Sequence, residues 1–70
     1  MNLKSVSDNL QWHMHKRNIS PQEMAIRMGI SMATYYRRIK DPRSLTLGNI
    51  KDAAQMMGIK TETLVNDVGK

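Results

Sequence analysis

The sequence predicts an all-α fold, one compact domain of five short helices over residues 1–70. Three observations carry this. Apolar residues recur at three- and four-residue steps in successive segments. Ser20, Ser31 and Thr46 stand immediately before such segments, where a helix N-cap belongs. Gly29, Gly58 and the pair Asp41-Pro42 stand just after them, where helices stop. No stretch alternates apolar and polar residues well enough to read as a strand.

Leu3, Val6, Leu10 and Met14 share one face of a first helix, which Asn18 ends. The second helix starts at Ser20-Pro21. Ser20 suits the cap, Pro21 the first turn, and Glu23 completes a capping box. Met24, Ala25 and Met28 form its buried stripe, and Gly29 stops it. Ser31 caps a third helix that runs to about Lys40. Thr46 caps a fourth, with Leu47, Ile50, Ala54 and Met57 as its apolar residues, ended by Gly58. Thr61 caps a short fifth helix holding Leu64, Val65 and Val68. The second and third helices are joined only by "MGIS", which suits two helices crossing at a large angle with Gly29 at the corner. Ala25 is small enough to let the third helix approach the second.

Composition narrows the function. Eleven Lys and Arg against six Asp and Glu leave a net charge of +5, which favours a nucleic acid or another anionic surface as partner. There is no cysteine, so no disulfide or thiolate metal site supports the fold. Seven methionines and no cysteine fit a reducing, cytoplasmic setting. No apolar run approaches the roughly 18 residues of a membrane span, and no signal peptide is visible at Met1 to Leu10. At this length no sensor or cleavage domain is expected.

Catalysis finds little support. His13 and His15 stand two apart on a helix and point to nearly opposite sides, so they cannot converge on one metal. A surface or edge position suits both, and Trp12 suits the edge of the first helix. No nucleophile spacing and no phosphate-binding glycine loop occurs. The expectation is a non-enzyme with no cofactor and no metal.

The stretch "SPQEMAIRMGISMATYYRRI" resembles the helix-turn-helix of phage repressors and Cro proteins, the xenobiotic-response-element family. "TLGNIKDAAQMMGIKTETLV" resembles the fourth and fifth helices of that family. The resemblance covers roughly residues 6 to 66. It is carried by Ala25, Gly29, Ile30-Ser31 and Tyr35, and downstream by Leu47, Ile50, Ala53 and Gly58 in register. It implies a helix-turn-helix formed by the second and third helices. Three departures stand out. Pro21 replaces the usual Gln that contacts DNA backbone, although the helix N-terminus still suits a phosphate. Met14 and Ile39 occupy the positions of a buried Arg–Glu pair found in many members. An apolar contact there is physically sound, because exchanging a buried ion pair for packed hydrophobes is often neutral or stabilising. Arg38 occupies a position that is usually apolar, where its stem would snorkel past the core edge toward a phosphate.

On the third helix, residues 32, 33, 36, 37 and 40 share one face, and Tyr35 and Ile39 point the other way. That face reads Met32, Ala33, Tyr36, Arg37, Lys40. A helix fits the DNA major groove. Arg37 suits a fork onto guanine O6 and N7, Met32 and Ala33 suit thymine methyls, and Tyr36 suits a base edge, a methyl or a phosphate. These four are the expected base contacts. The expected backbone contacts are Ser20, Gln22, Ser31, Arg38, Lys40, Arg43 and Ser44, which position the protein and supply salt-dependent affinity. Lys16 and Arg17 suit the negative end of the first helix more than a phosphate.

The resemblance also implies pairing across a two-fold axis near the fourth-to-fifth helix connection, where Ile59, Thr61, Leu64, Val65 and Val68 lie. Little apolar surface remains there once the core is closed. The expectation is a weak homodimer that pairs on a palindromic double-stranded operator. The expected function is a sequence-specific transcriptional regulator, a Cro-like repressor of a phage or mobile element. The alternative is a helix-turn-helix protein-interaction module, an adaptor or antitoxin, whose DNA binding is secondary.

Overall fold

The structure is a computed structural model that describes the backbone of residues 3–65 and the side chains of residues 6–65. Among these residues it holds α1 (Leu3–Lys16), α2 (Pro21–Met28), α3 (Met32–Lys40), α4 (Leu47–Met57) and α5 (Thr61–Val65), with a 3₁₀ turn at Pro42–Ser44 between α3 and α4. No strand occurs among them, as the sequence predicts. The 3₁₀ turn was not anticipated. It follows from Pro42, whose fixed φ suits the first position of a tight turn.

Helix starts are closed by side chains one turn away. The Glu23 N–H donates to Ser20 Oγ at 3.1 Å, and the Ser20 N–H donates to Glu23 Oε1 at 2.8 Å, a complete capping box. Ser31 Oγ accepts from the Thr34 N–H. Thr46 and Asn49 repeat the reciprocal box at the start of α4. Helix α5 begins with Thr61 itself, so Thr61 is its first residue rather than its cap.

The ends of α1, α2 and α4 share one device. Asn18, Gly29 and Gly58 have φ of 59°, 72° and 67°, the left-handed region. In each case the following isoleucine donates its N–H five residues back: Ile19 to Met14, Ile30 to Ala25, Ile59 to Ala54, at 2.9, 3.1 and 3.0 Å. The left-handed residue itself donates three residues back. This is the Schellman motif, and its usual hydrophobic contact is present, because Ile19, Ile30 and Ile59 all pack against the core.

Every α-helix contributes to that core. Leu10 and Met14 come from α1, Met24, Ala25 and Met28 from α2, Tyr35 from α3, Ala53, Ala54 and Met57 from α4, and Leu64 from α5. Four of these are methionine, an unbranched thioether that fills irregular gaps between helices meeting at varied angles. Polar ties cross the core edge. Ser7 Oγ donates to the Ile39 carbonyl at 2.9 Å, Asn9 Nδ2 to the Leu64 carbonyl at 3.1 Å, and Arg27 Nη2 to Gln55 Oε1 at 3.0 Å. They fasten α1 to α3, α1 to α5 and α2 to α4.

Three expectations need correction. Leu47 is 67% exposed and not part of the core stripe of α4. As the first residue of the helix, its Cα–Cβ bond leans back past the helix end into solvent. His13 is buried on α1, whereas a surface or edge position was expected; His15 is exposed. Leu64 is 1% exposed and closes the core, so its side chain is not available to a second copy. Val68 lies outside the described residues.

Candidate nucleic-acid interface

The α3 surface is shaped by what its buried side must do. Tyr35 is buried, and its hydroxyl donates to Met14 Sδ at 3.3 Å. Burial pushes the Tyr35 phenol above its ordinary pKa, with Tyr36 adding a smaller effect in the same direction, so it stays a neutral donor. A phenol–thioether bond thus ties the middle of α3 to Met14 of α1. With Tyr35 anchored inward, Ala33, Tyr36, Arg37 and Lys40 are exposed. Met32 is half-buried and packs against the core, so it sits at the edge of this face rather than on it. Tyr36 meets Tyr35 edge-to-face, ring centroids 5.6 Å apart, which restrains the outer ring.

Of the other nominated residues, Ser31 stands at the start of α3, Arg43 and Ser44 follow its end, and Ser20 and Gln22 stand at the start of α2. Ser31 caps α3 and donates its hydroxyl to Thr34 Oγ1 at 2.9 Å. Ser20 caps α2, with Gln22 exposed in its first turn. Hydrogen bonding from Ser20, first through its backbone N–H, holds the Glu23 carboxyl below its ordinary pKa, which keeps the capping box ionised. Beyond the α3 C-terminus, Arg43 Nε pairs with Asp41 at 3.2 Å, a solvent-exposed contact of little energetic weight that leaves the guanidinium accessible. Ser44 is half-buried and donates to the Asp41 carbonyl at 2.7 Å, so its hydroxyl proton is committed within the turn.

Arg38 lies at the core edge, where the sequence places it, with its guanidinium engaged. It is half-buried, and its Nη1 donates to Asn49 Oδ1 at 2.6 Å. Asn49 is itself buried. The same oxygen accepts the Thr46 N–H, so one amide joins the end of α3 to the start of α4. Asn49 was not singled out from sequence. The available signal was a Thr-x-x-Asn spacing, a capping box with Asn in place of Glu or Gln.

A cleft of about 250 Å³ adjoins Tyr36, between α1, the start of α2 and α3. Met14, Ile19, Tyr35 and Ile39 are apolar members of its lining. Gln11, His15, Pro21 and Tyr36 complete it. Neither Gln11 nor His15 was expected at a site.

The arrangement suits binding to a phosphodiester duplex. No acidic residue lies within α3, and its last turn carries Arg37, Arg38 and Lys40. No helix among the described residues is long and apolar enough to cross a membrane. A family model for the Cro/C1-type HTH DNA-binding domain matches residues 9–70. No curated protein and no solved structure matched the chain. With nearly all of its length matched, the chain belongs to the Cro/C1-type helix-turn-helix family of DNA-binding domains.

Proposed function

We propose that this protein is a sequence-specific transcriptional regulator that lays α3 in the major groove of double-stranded DNA. The observation that carries this reading is the exposed face of α3, where Ala33, Tyr36, Arg37 and Lys40 stand together over a buried Tyr35 anchor. Arg37 reads a guanine, and Met32, Ala33 and Tyr36 supply apolar and edge contacts. Ser20, Gln22, Ser31, Lys40 and Arg43 meet phosphates on either side. Arg38 reaches a phosphate only with the guanidinium nitrogens that Asn49 leaves free.

Within this reading the protein is a Cro-like repressor of a phage or mobile element, acting in the cytoplasm as a single domain by occupying an operator. One α3 reads only a few base pairs, so two copies pair on a palindrome with their reading helices about 34 Å apart. Ile59, Thr61 and Val65, all half-buried, offer the pairing surface. With Leu64 in the core this surface is small, which supports a weak free dimer.

Selection of bound duplexes from a random pool tests specificity and half-site spacing together. The expected result is a palindrome with half-sites one helical turn apart. Recovery of unselected sequence would reject sequence-specific reading. Sedimentation should show mainly monomer when free and two copies on a full operator; a tight dimer without DNA would reject weak pairing.

A further inference from the structure

The cleft between α1 and α3 has a side-chain arrangement that the major-groove reading alone does not use. Residues 11 and 15 are one helical turn apart and line the cleft together. The two formal cations at the end of α1 are held elsewhere. Lys16 lies 4.5 Å over the Trp12 ring, and Arg17 Nη1 contacts His13 Nδ1 at 3.1 Å and the His13 carbonyl at 3.2 Å. Gln11 turns its amide back onto Ser7, donating to the carbonyl and hydroxyl oxygens at 3.3 and 3.2 Å. His15 is exposed, and among the described residues no hydrogen bond or ion pair engages its imidazole.

We propose that this cleft seats the sugar–phosphate backbone of one DNA strand, with the His15 imidazole donating to a phosphate oxygen and Tyr36 and Pro21 forming the walls. The proposal rests on the DNA-binding reading above and extends its footprint from α2 and α3 onto α1. Continuity argues for this occupant. Pro21 joins the cleft to the start of α2, where Ser20 and Gln22 are exposed, and Tyr36 joins it to the exposed face of α3. A strand touching both flanks crosses the mouth of the cleft. The chemistry agrees. An apolar floor of Met14, Ile19 and Ile39 accepts a deoxyribose face, and a ring N–H at the rim answers a phosphate oxygen.

The test uses the full chain and the duplex recovered from the random pool. His15→Ala should keep the wild-type melting temperature, because His15 is exposed. It should weaken binding roughly three- to tenfold, the worth of one hydrogen bond. The loss should be the same on operator and random duplex, since a phosphate contact carries no sequence information. One phosphate whose ethylation blocks the wild type should become silent in His15→Ala. His15→Lys should restore affinity and steepen the salt dependence by about one phosphate contact. A His15→Ala variant with wild-type affinity and an unchanged ethylation pattern would overturn the cleft contact while leaving the reading of α3 intact. Failure of the wild type to bind any duplex would overturn both.

Discussion

Arg38 Nη1 lies 2.6 Å from Asn49 Oδ1, and that bond fastens the basic end of α3 to the first turn of α4. Asn49 Oδ1 also accepts the Thr46 N–H, so a single side-chain oxygen serves two elements. Truncating it removes both functions and leaves a half-buried guanidinium with one acceptor fewer.

Asn49→Ala should therefore cost about 1–3 kcal/mol, combining part of a cap with a charge-assisted hydrogen bond. In a domain this small each kcal/mol lowers the melting temperature by roughly 4–8 °C. Arg38→Ala should cost less, because the Thr46–Asn49 cap survives. Thermal melts of both single variants and the double variant give the coupling. Strict additivity would show that the two side chains act independently.

Arg37 and Arg43 should separate base reading from backbone binding. Arg37→Ala should lose about 1–3 kcal/mol on the preferred duplex and relax preference at one base pair. Arg43→Ala should weaken all duplexes alike and flatten the salt slope by about one contact. A panel of single-base operator changes measures both. Equal, sequence-independent losses would remove Arg37 from the reading face.

Gly29 and Gly58 should tolerate substitution poorly for a backbone reason alone. A Cβ at either position meets no atom within 4 Å, yet φ is 72° and 67°. A β-branched residue resists that region. Gly29→Val should cost about 1–2 kcal/mol. Gly48, inside α4, is the contrast, since a Cβ there makes only an ordinary 3.6 Å contact with Thr46 Oγ1. Gly48→Ala should gain about 0.4–1 kcal/mol. Melting temperatures decide it; equal losses at positions 29 and 48 would contradict the conformational argument.

Stability should fall as pH drops below about 6.5, the ordinary histidine value, because of His13. Burial first, then Arg17 and Lys16, hold its pKa below that value. The Arg17 contact needs Nδ1 as an acceptor, and Nε2 is buried without a partner among the described residues. Below 6.5 the unfolded chain binds more protons than the folded one. The stabilisation is thus complete above that pH and lost as pH falls through the lower folded value. Melts from pH 7.5 to 5 should show this decline in the wild type and a weaker one in His13→Leu. Parallel curves would place the titration elsewhere.

The sequence by itself determined where α2, α3 and α4 start and where α1, α2 and α4 stop. Ser20, Ser31 and Thr46 each cap within one turn of their own position, and Asn18, Gly29 and Gly58 close the ends through bonds spanning five residues. Such interactions depend on little beyond the neighbouring chain, so spacing alone exposes them. The outward direction of Ala33, Tyr36, Arg37 and Lys40 was equally legible, because one helical period and one inward tyrosine fix it. Tertiary structure decided what lies opposite each face. The same periodicity that buried Ala54 and Met57 left Leu47 in solvent, because the first residue of a helix leans beyond the helix end. It also could not show Arg38 meeting Asn49, His13 buried, or Gln11 and His15 beside Tyr36. Those placements join residues from different elements, or set a side chain against them, and they exist only once helix packing has fixed the distances between faces.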